Sequence, residues 1–151
     1  MTGSSASGKT YLIDAICITA MRQSGHVRYI EANTLMNKME QARIKSTNLD
    51  YLNRLTRLDL LVIDDFGLMD LDLDKCRDFF EVLGCRDGRK STVVISQFPV
   101  RSWFDMFSDN TYADAGLTKI TNRHHTYRLK MNGINMREID LPLTEEVLRP
   151  I

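Results

Sequence analysis

Apolar positions along the chain switch repeatedly between a helical period and a strand-like one, and the switches divide the sequence into elements. Residues 9–23 carry Leu12, Ile13, Ala15, Ile16, Ile18 and Ala20 on most sides of a helical wheel, which predicts a largely buried helix ended by Gly25. His26 to Ala32 alternates polar residues with Val27, Tyr29 and Ile30 as a strand does. A helix follows from Thr34, with Leu35, Met36, Met39 and Ala42 on one side, and its methionine stripe reads as core. Asp59 to Asp65 predicts a short buried strand ending in two acids, and residues 72–84 a helix with Leu73, Cys76, Phe80 and Leu83 at helical spacing. Ser91 to Phe98 contains the strand Thr92-Val93-Val94-Ile95, which Pro99 ends because proline brings no amide to a ladder. Helices are expected at 101–107 and 112–122, then a last strand at Tyr127 to Met131 turning at Asn132-Gly133. Alternating helices and strands predict an α/β fold with a mainly parallel sheet.

Composition narrows this further. With 151 residues, 43% apolar and 26% charged, the chain suits one compact domain and departs from the profile of disordered proteins. Its longest apolar runs, such as Leu60-Leu61-Val62-Ile63, are far too short to span a bilayer, and no leader pattern opens it, so a soluble, cytoplasmic protein without a membrane partner is expected. Cys17, Cys76 and Cys85 form no CxxC pair, and an odd count makes no closed disulfide framework; they read as small apolar residues on helices. Lys and Arg (20) balance Asp and Glu (20), yet unevenly. Residues 22–57 are basic through Arg22, Arg28, Lys38, Arg43, Lys45, Arg54 and Arg57, residues 64–87 are acidic, and residues 112–139 are basic again through Lys119, Arg123, Arg128, Lys130 and Arg137. The basic blocks are the candidate footprint for non-specific contact with a DNA backbone.

The specific chemistry lies at strand ends. Gly3-Ser4-Ser5-Ala6-Ser7-Gly8-Lys9-Thr10 matches GxxxxGK[ST], the P-loop, and opens a helix. Its glycines let successive amides converge on one concavity, where the helix N-terminus adds its positive dipole end, so the loop suits the phosphates of ATP. Lys9 would set a point charge on the outer phosphates, and the Thr10 hydroxyl would help complete the octahedral shell of Mg²⁺. Ala6 stands where many P-loops carry another glycine, and alanine tolerates positive φ poorly. Leu60-Leu61-Val62-Ile63-Asp64-Asp65 has the form of a Walker B strand: Asp64 is the candidate Mg²⁺ ligand and Asp65 the candidate group acting on the attacking water. Gln97, at the end of Val93-Val94-Ile95-Ser96-Gln97, would reach the γ-phosphate or its water.

With these elements in this order, the sequence resembles the insertion-sequence ATP-binding proteins (IstB-like), relatives of the bacterial helicase loaders within the AAA+ ATPases. The resemblance covers about residues 3–138 and also rests on His26-Val27-Arg28-Tyr29, Phe66-Gly67, Ser91-Thr92-Val93-Val94-Ile95-Ser96-Gln97-Phe98-Pro99, Ala113-Asp114-Ala115 and Met136-Arg137-Glu138. It implies an AAA+ core of three α/β/α layers that binds ATP, forms a homo-oligomer on DNA and assists a transposase. Gly3, Gly8, Lys9 and Thr10 match the family's Walker A motif, Asp64 and Asp65 its Walker B motif, and Gln97 its sensor position. Where family members follow Ala-Asp-Ala with a segment like Ile-Leu-Asp-Arg, this chain reads Gly116-Leu117-Thr118-Lys119. Lys119 thus occupies the arginine-finger position without arginine's planar fork, and Arg123, one turn on, is the candidate substitute.

Only Met1 and Thr2 precede the loop, so the strand that normally leads into a P-loop is expected to be missing, as in a fragment, a shortened reading frame or a protein with a rearranged sheet. Residues 1–140 are expected to form the partial ATP-binding core and 141–151 a C-terminal tail. Three other readings remain at this level. A helicase-loader ATPase has the same chemistry and a different partner. A small-molecule kinase needs an arginine-bearing lid, for which only Arg86-Asp87-Gly88-Arg89-Lys90 is available. A truncated remnant would turn over little ATP. His124 and His125 lack further metal ligands at suitable spacing and read as surface residues, and Trp103 reads as packing.

Overall fold

The computed structural model describes residues 1–121 and 126–132. The elements run β1 (Thr2–Gly3), α1 (Lys9–Arg22), β2 (Val27–Glu31), α2 (Ala32–Ile44), α3 (Asn48–Thr56), β3 (Leu60–Asp64), α4 (Leu73–Arg86), β4 (Ser91–Val94), α5 (Asn110–Thr121) and β5 (Lys130–Met131). β2, β3 and β4 pair in parallel with β3 central, and β1 pairs in parallel with β5. A bridge between Thr2 and Ser96 joins the two ladders, with Ser96 N–H donating to Met1 O at 3.0 Å and Gly3 N–H to Ser96 O at 3.3 Å. The strand order is therefore β5-β1-β4-β3-β2. The sequence predicts no strand before the P-loop, yet a two-residue strand, β1, fills the slot between β4 and β5.

Hydrophobicity on both faces explains why β3 reads as a continuous apolar run: successive side chains of a strand point to opposite faces, and here both are covered. Leu60 and Val62 meet Ile13, Cys17 and Ile95 under α1. Leu61 and Ile63 belong to the larger core under α2, α3 and α4, with Met36, Met39, Leu55, Phe79 and Val82. The methionine stripe is core, as the sequence predicted.

Four local expectations change. First, α1 covers a single layer, so only Ile13 and Cys17 are buried along it, while Tyr11, Ile18 and Met21 face out. Its stop is a Schellman motif in which Ser24, not Gly25, takes the left-handed conformation (φ 63°). Gly25 is needed for closeness instead: its N–H donates to Ala20 O at 3.0 Å, and a Cβ there would lie 2.8 Å from that oxygen. Second, α3 has no counterpart among the predicted elements, although Tyr51 and Leu55, one turn apart and both buried, carry its signal. Third, 101–107 forms two 3₁₀ turns, Val100–Ser102 and Phe104–Met106, because that tighter path brings both Trp103 and Phe107 onto Phe66. Fourth, in α4 Leu73 is exposed and Phe80 only half-buried, the inward positions being Cys76, Phe79, Val82 and Leu83.

β5 is shorter than the predicted strand because its ladder can be no longer than β1's two residues. The three cysteines are free. No helix among the described residues is long and apolar enough to cross a membrane. Arg123, His124, His125, Gly133, the Met136-Arg137-Glu138 element and the 141–151 tail lie outside the described residues.

Candidate phosphate-binding site

The loop between β1 and α1 is held from below. At Gly3 a Cβ would lie 2.7 Å from Met131 O and 2.8 Å from Ser7 Oγ, so only glycine lets β1 turn here beside β5. Ser7 N–H donates to Ser4 O at 3.3 Å, and the Ser7 side chain is buried beneath the turn. Ala6 is left-handed (φ 59°), as is Gly8 (φ 87°), so the alanine accepts the conformation for which glycine is the ordinary residue. Gly8 N-caps α1 without a side-chain cap, and its carbonyl accepts the first helical bond from Leu12 N–H at 3.1 Å. The amides of the first turn therefore have no intrahelical acceptor, and the positive end of the helix dipole opens toward the loop. Lys9 folds back over it, donating from Nζ to Gly3 O at 2.6 Å and Ser4 O at 2.5 Å. Burial lowers the Lys9 pKa, against the pull of Asp64 and Asp65, which raises it.

β3 delivers the acids. Past Asp64 the chain turns sharply: Asp65 is left-handed (φ 54°), and Phe66 N–H donates to Ile95 O at 2.9 Å. Phe66 is fully buried, stacked on Phe79 at 4.8 Å and edge-on to Trp103 at 4.9 Å, so an aromatic cluster braces the corner from behind. Trp103 also donates from Nε1 to Phe98 O at 3.0 Å, which confirms its packing role. Asp64 accepts from Asp65 N–H at 2.7 Å through Oδ1 and from the Tyr29 hydroxyl through Oδ2. Burial pushes its carboxyl above the usual range, opposed by the Asp65 N–H and reinforced by the Asp65 carboxylate.

Ser96 ties the third strand end to the second. Its hydroxyl donates to Phe66 O at 2.6 Å and accepts from Phe98 N–H at 3.1 Å, fixing the backbone on either side of Gln97.

These pieces meet in one cleft of about 420 Å³, lined by Ser5, Ala6, Gly8, Lys9, Thr10, Asp64, Asp65 and Gln97. Of the other predicted loop residues, Gly3 and Ser4 supply the carbonyls that hold Lys9, and Ser7 lies underneath. Lys119 is elsewhere. It pairs with Asp87 at 3.5 Å and stands over the Phe80 ring at 5.4 Å, lining a separate cavity between α4 and α5, and does not reach the cleft of its own chain. The basic block 22–57 is also less free than its composition suggests, because Arg43 is committed to the buried Asp78 and to Asp74 at 3.5 Å.

Sequence reasoning assigned no role to Tyr29 or Ser96. No local signal marks Tyr29, whose place beside Asp64 follows from the register of β2 on β3, whereas the adjacency of Ser96 to Gln97 carries one for Ser96.

An oxygen-rich set of Thr10 and Asp64 suits Mg²⁺, which binds through one or two protein oxygens plus phosphates and water. No group of three His, Cys, Asp or Glu placed to hold a metal ion occurs among the described residues.

A family model described as "IstB-like ATP binding protein" matches residues 1–140. An insertion sequence ATP-binding protein of Sinorhizobium fredii (y4uH) is 37% identical over 142 residues, covering 94% of this chain and 56% of its own length. The insertion sequence IS232 ATP-binding protein of Bacillus thuringiensis is 27% identical, covering 89% and 53%. The chain thus spans about half the length of the curated relatives it matches. Among solved structures, DnaI superposes with a TM-score of 0.72 at 21% identity, covering 90% of this chain and 70% of that one. AMPPCP-bound DnaA from Aquifex aeolicus gives 0.70 at 20% identity, covering 90% and 41%. Both are matches of fold.

Proposed function

The chain belongs to the IstB-like ATP-binding proteins, and from that premise we propose that it is an ATP-binding and ATP-hydrolysing helper of DNA transposition, working on DNA beside a transposase. The observation that carries the nucleotide reading is the single cleft into which the loop, Lys9, Thr10, Asp64, Asp65 and Gln97 converge. Residues 1–140 are taken as the ATP-binding core and 141–151 as a tail.

In this reading the phosphates lie on the loop amides and the first turn of α1, and Lys9 exchanges the carbonyls of Gly3 and Ser4 for phosphate oxygens. Thr10 and Asp64 would hold Mg²⁺, whose charge offsets that developing on the transferred phosphoryl group. Asp65, exposed at the strand end, and Gln97 beside it orient a water for in-line attack on the γ-phosphate. Lys119, remote from its own cleft, is available to a neighbouring copy if subunits assemble. Its ion pair with Asp87 is of the exposed kind worth at most about 1 kcal/mol, so it can be exchanged.

The transposition role is supported by the relatives named as insertion sequence proteins. A helicase loader would share the fold and the chemistry. Contact with DNA would run through Arg22, Arg28, Lys38, Lys45 and Arg57, which form no ion pair among the described residues, without sequence preference and with strong salt dependence. ATP turnover with and without DNA, in the wild type and Lys9→Ala, tests the reading. Turnover stimulated by DNA and lost in the variant is expected; equal background in both proteins would sink it.

A further inference from the structure

Tyr29 is a half-exposed aromatic residue on the edge strand β2, with a relative exposure of 41%, so packing alone gives weak reason for it. Its register supplies a better one. Tyr29 lies opposite Val62 in the parallel ladder, and Asp64 is two residues further along β3 on the same face. At a rise of about 3.3 Å per residue that offset is about 6.6 Å, a span that a phenol side chain can cover and a serine or threonine cannot. The Tyr29 hydroxyl donates to Asp64 Oδ2, while the Asp65 N–H donates to Oδ1 at 2.7 Å. Two donors on opposite oxygens fix the plane of the carboxylate. Each ionised oxygen keeps a further lone-pair direction, so the group is oriented without being used up.

We infer that Tyr29 is a positioning residue for cation capture, setting the Asp64 carboxylate so that the magnesium ion accompanying a nucleoside triphosphate meets a ligand already aimed into the cleft. The inference rests on the nucleotide reading above. Tyr29 touches neither phosphate nor cation; it acts through Asp64, as outer-shell partners of metal ligands do. The cleft would then owe part of its selectivity for a metal-bound nucleotide to the strand β2, which carries none of the Walker A, Walker B or sensor residues.

The test is binding of a fluorescent ATP analogue to the full chain, titrated with MgCl₂ and compared with EDTA. Tyr29→Phe keeps the ring and removes only the donor. It is expected to leave affinity in EDTA and the melting temperature of the free protein as in the wild type, and to raise the Mg²⁺ concentration for half-maximal enhancement about 10-fold. In an Asp64→Asn background the same change is expected to add nothing, since there is no longer a carboxylate to orient. A Tyr29→Phe variant with an unmoved Mg²⁺ midpoint, or one equally weakened in EDTA, overturns the inference while leaving the nucleotide reading standing. Absence of binding by the wild type itself, with or without Mg²⁺, overturns both.

Discussion

The ammonium nitrogen of Lys9 lies 2.6 Å from the carbonyl oxygen of Gly3, the first residue of the loop that Lys9 ends. The loop is thereby closed upon its own cation. A phosphate entering the cleft replaces two neutral carbonyl acceptors, those of Gly3 and Ser4, with anionic oxygens, so the ammonium gains an opposite charge in place of two dipoles.

Replacing Lys9 by alanine should therefore separate binding from folding. ATP-analogue affinity is expected to fall by about 100-fold, the equivalent of nearly 3 kcal/mol, while the melting temperature of the free protein changes by no more than about 3 °C. Equilibrium titration alongside a thermal melt reads both quantities, and a large loss of stability would show that the lysine is chiefly structural.

Ala6 holds a left-handed backbone (φ 59°) that costs an L-residue about 1–2 kcal/mol, against the roughly 0.5–1 kcal/mol of extra chain entropy that glycine loses on folding. Ala6→Gly is expected to stabilise the protein by about 0.5–1 kcal/mol with nucleotide affinity maintained or improved. A urea-denaturation midpoint that moves down instead would mean that the methyl group makes a packing contribution larger than the strain it incurs.

Asp59 ties the starts of three strands together, accepting from Lys90 Nζ at 2.6 Å and from His26 N–H at 2.8 Å. The Lys90 hydrogen bond, then that of the His26 amide, hold its carboxyl well below the ordinary carboxylate range. A carboxyl depressed in the folded state binds fewer protons there than in the unfolded chain, so its stabilisation is complete above the unfolded pKa of 3.8 and fades as pH falls below that value. Asp59→Asn should melt earlier than the wild type at pH 7, and the two curves should converge as the pH is lowered below 3.8. Parallel curves across that range would show that Asp59 acts through shape and not through charge.

Arg86 is a buried cation whose guanidinium reaches across three elements. It donates to Leu55 O, to Leu58 O at 3.0 Å, to Ser91 O at 2.5 Å and to Thr92 Oγ1 at 2.9 Å. Removing it leaves the carbonyls of Leu55 in α3, Leu58 just past it and Ser91 at the start of β4 without this donor, and a buried unsatisfied group costs about 1–3 kcal/mol. Arg86→Met, which fills similar volume, is expected to destabilise the protein by about 3 kcal/mol or more, measured by chemical denaturation. A loss below about 1 kcal/mol would mean that water takes over those carbonyls.

How much of this was legible beforehand follows from which interactions are local. Loop chemistry is local: Gly3, Gly8, Lys9 and Thr10 sit in one octapeptide whose spacing is itself the signal, and the acids of β3 follow a run of four apolar residues that both sheet faces must bury. The parallel α/β class was likewise written in the alternation of periods, and the methionine stripe of α2 in its spacing. The helical wheel of α1 is apolar on most sides, yet only Ile13 and Cys17 are buried, because apolar composition does not say how many layers surround a helix. With only two residues before the loop, β1 has no signal of its own in the sequence; it forms through hydrogen bonds to Ser96 and Leu129, both more than 90 positions away. Tyr29 and Asp64, 35 positions apart, meet through strand register, and the separation of Lys119 from the cleft follows from how α5 packs on α4. The chemistry of the loop and of the strand ends can be read along the chain, since it depends on neighbours a few residues apart. Tertiary structure decided which of those groups face one another, because parallel pairing and helix packing join segments whose separation no local pattern records.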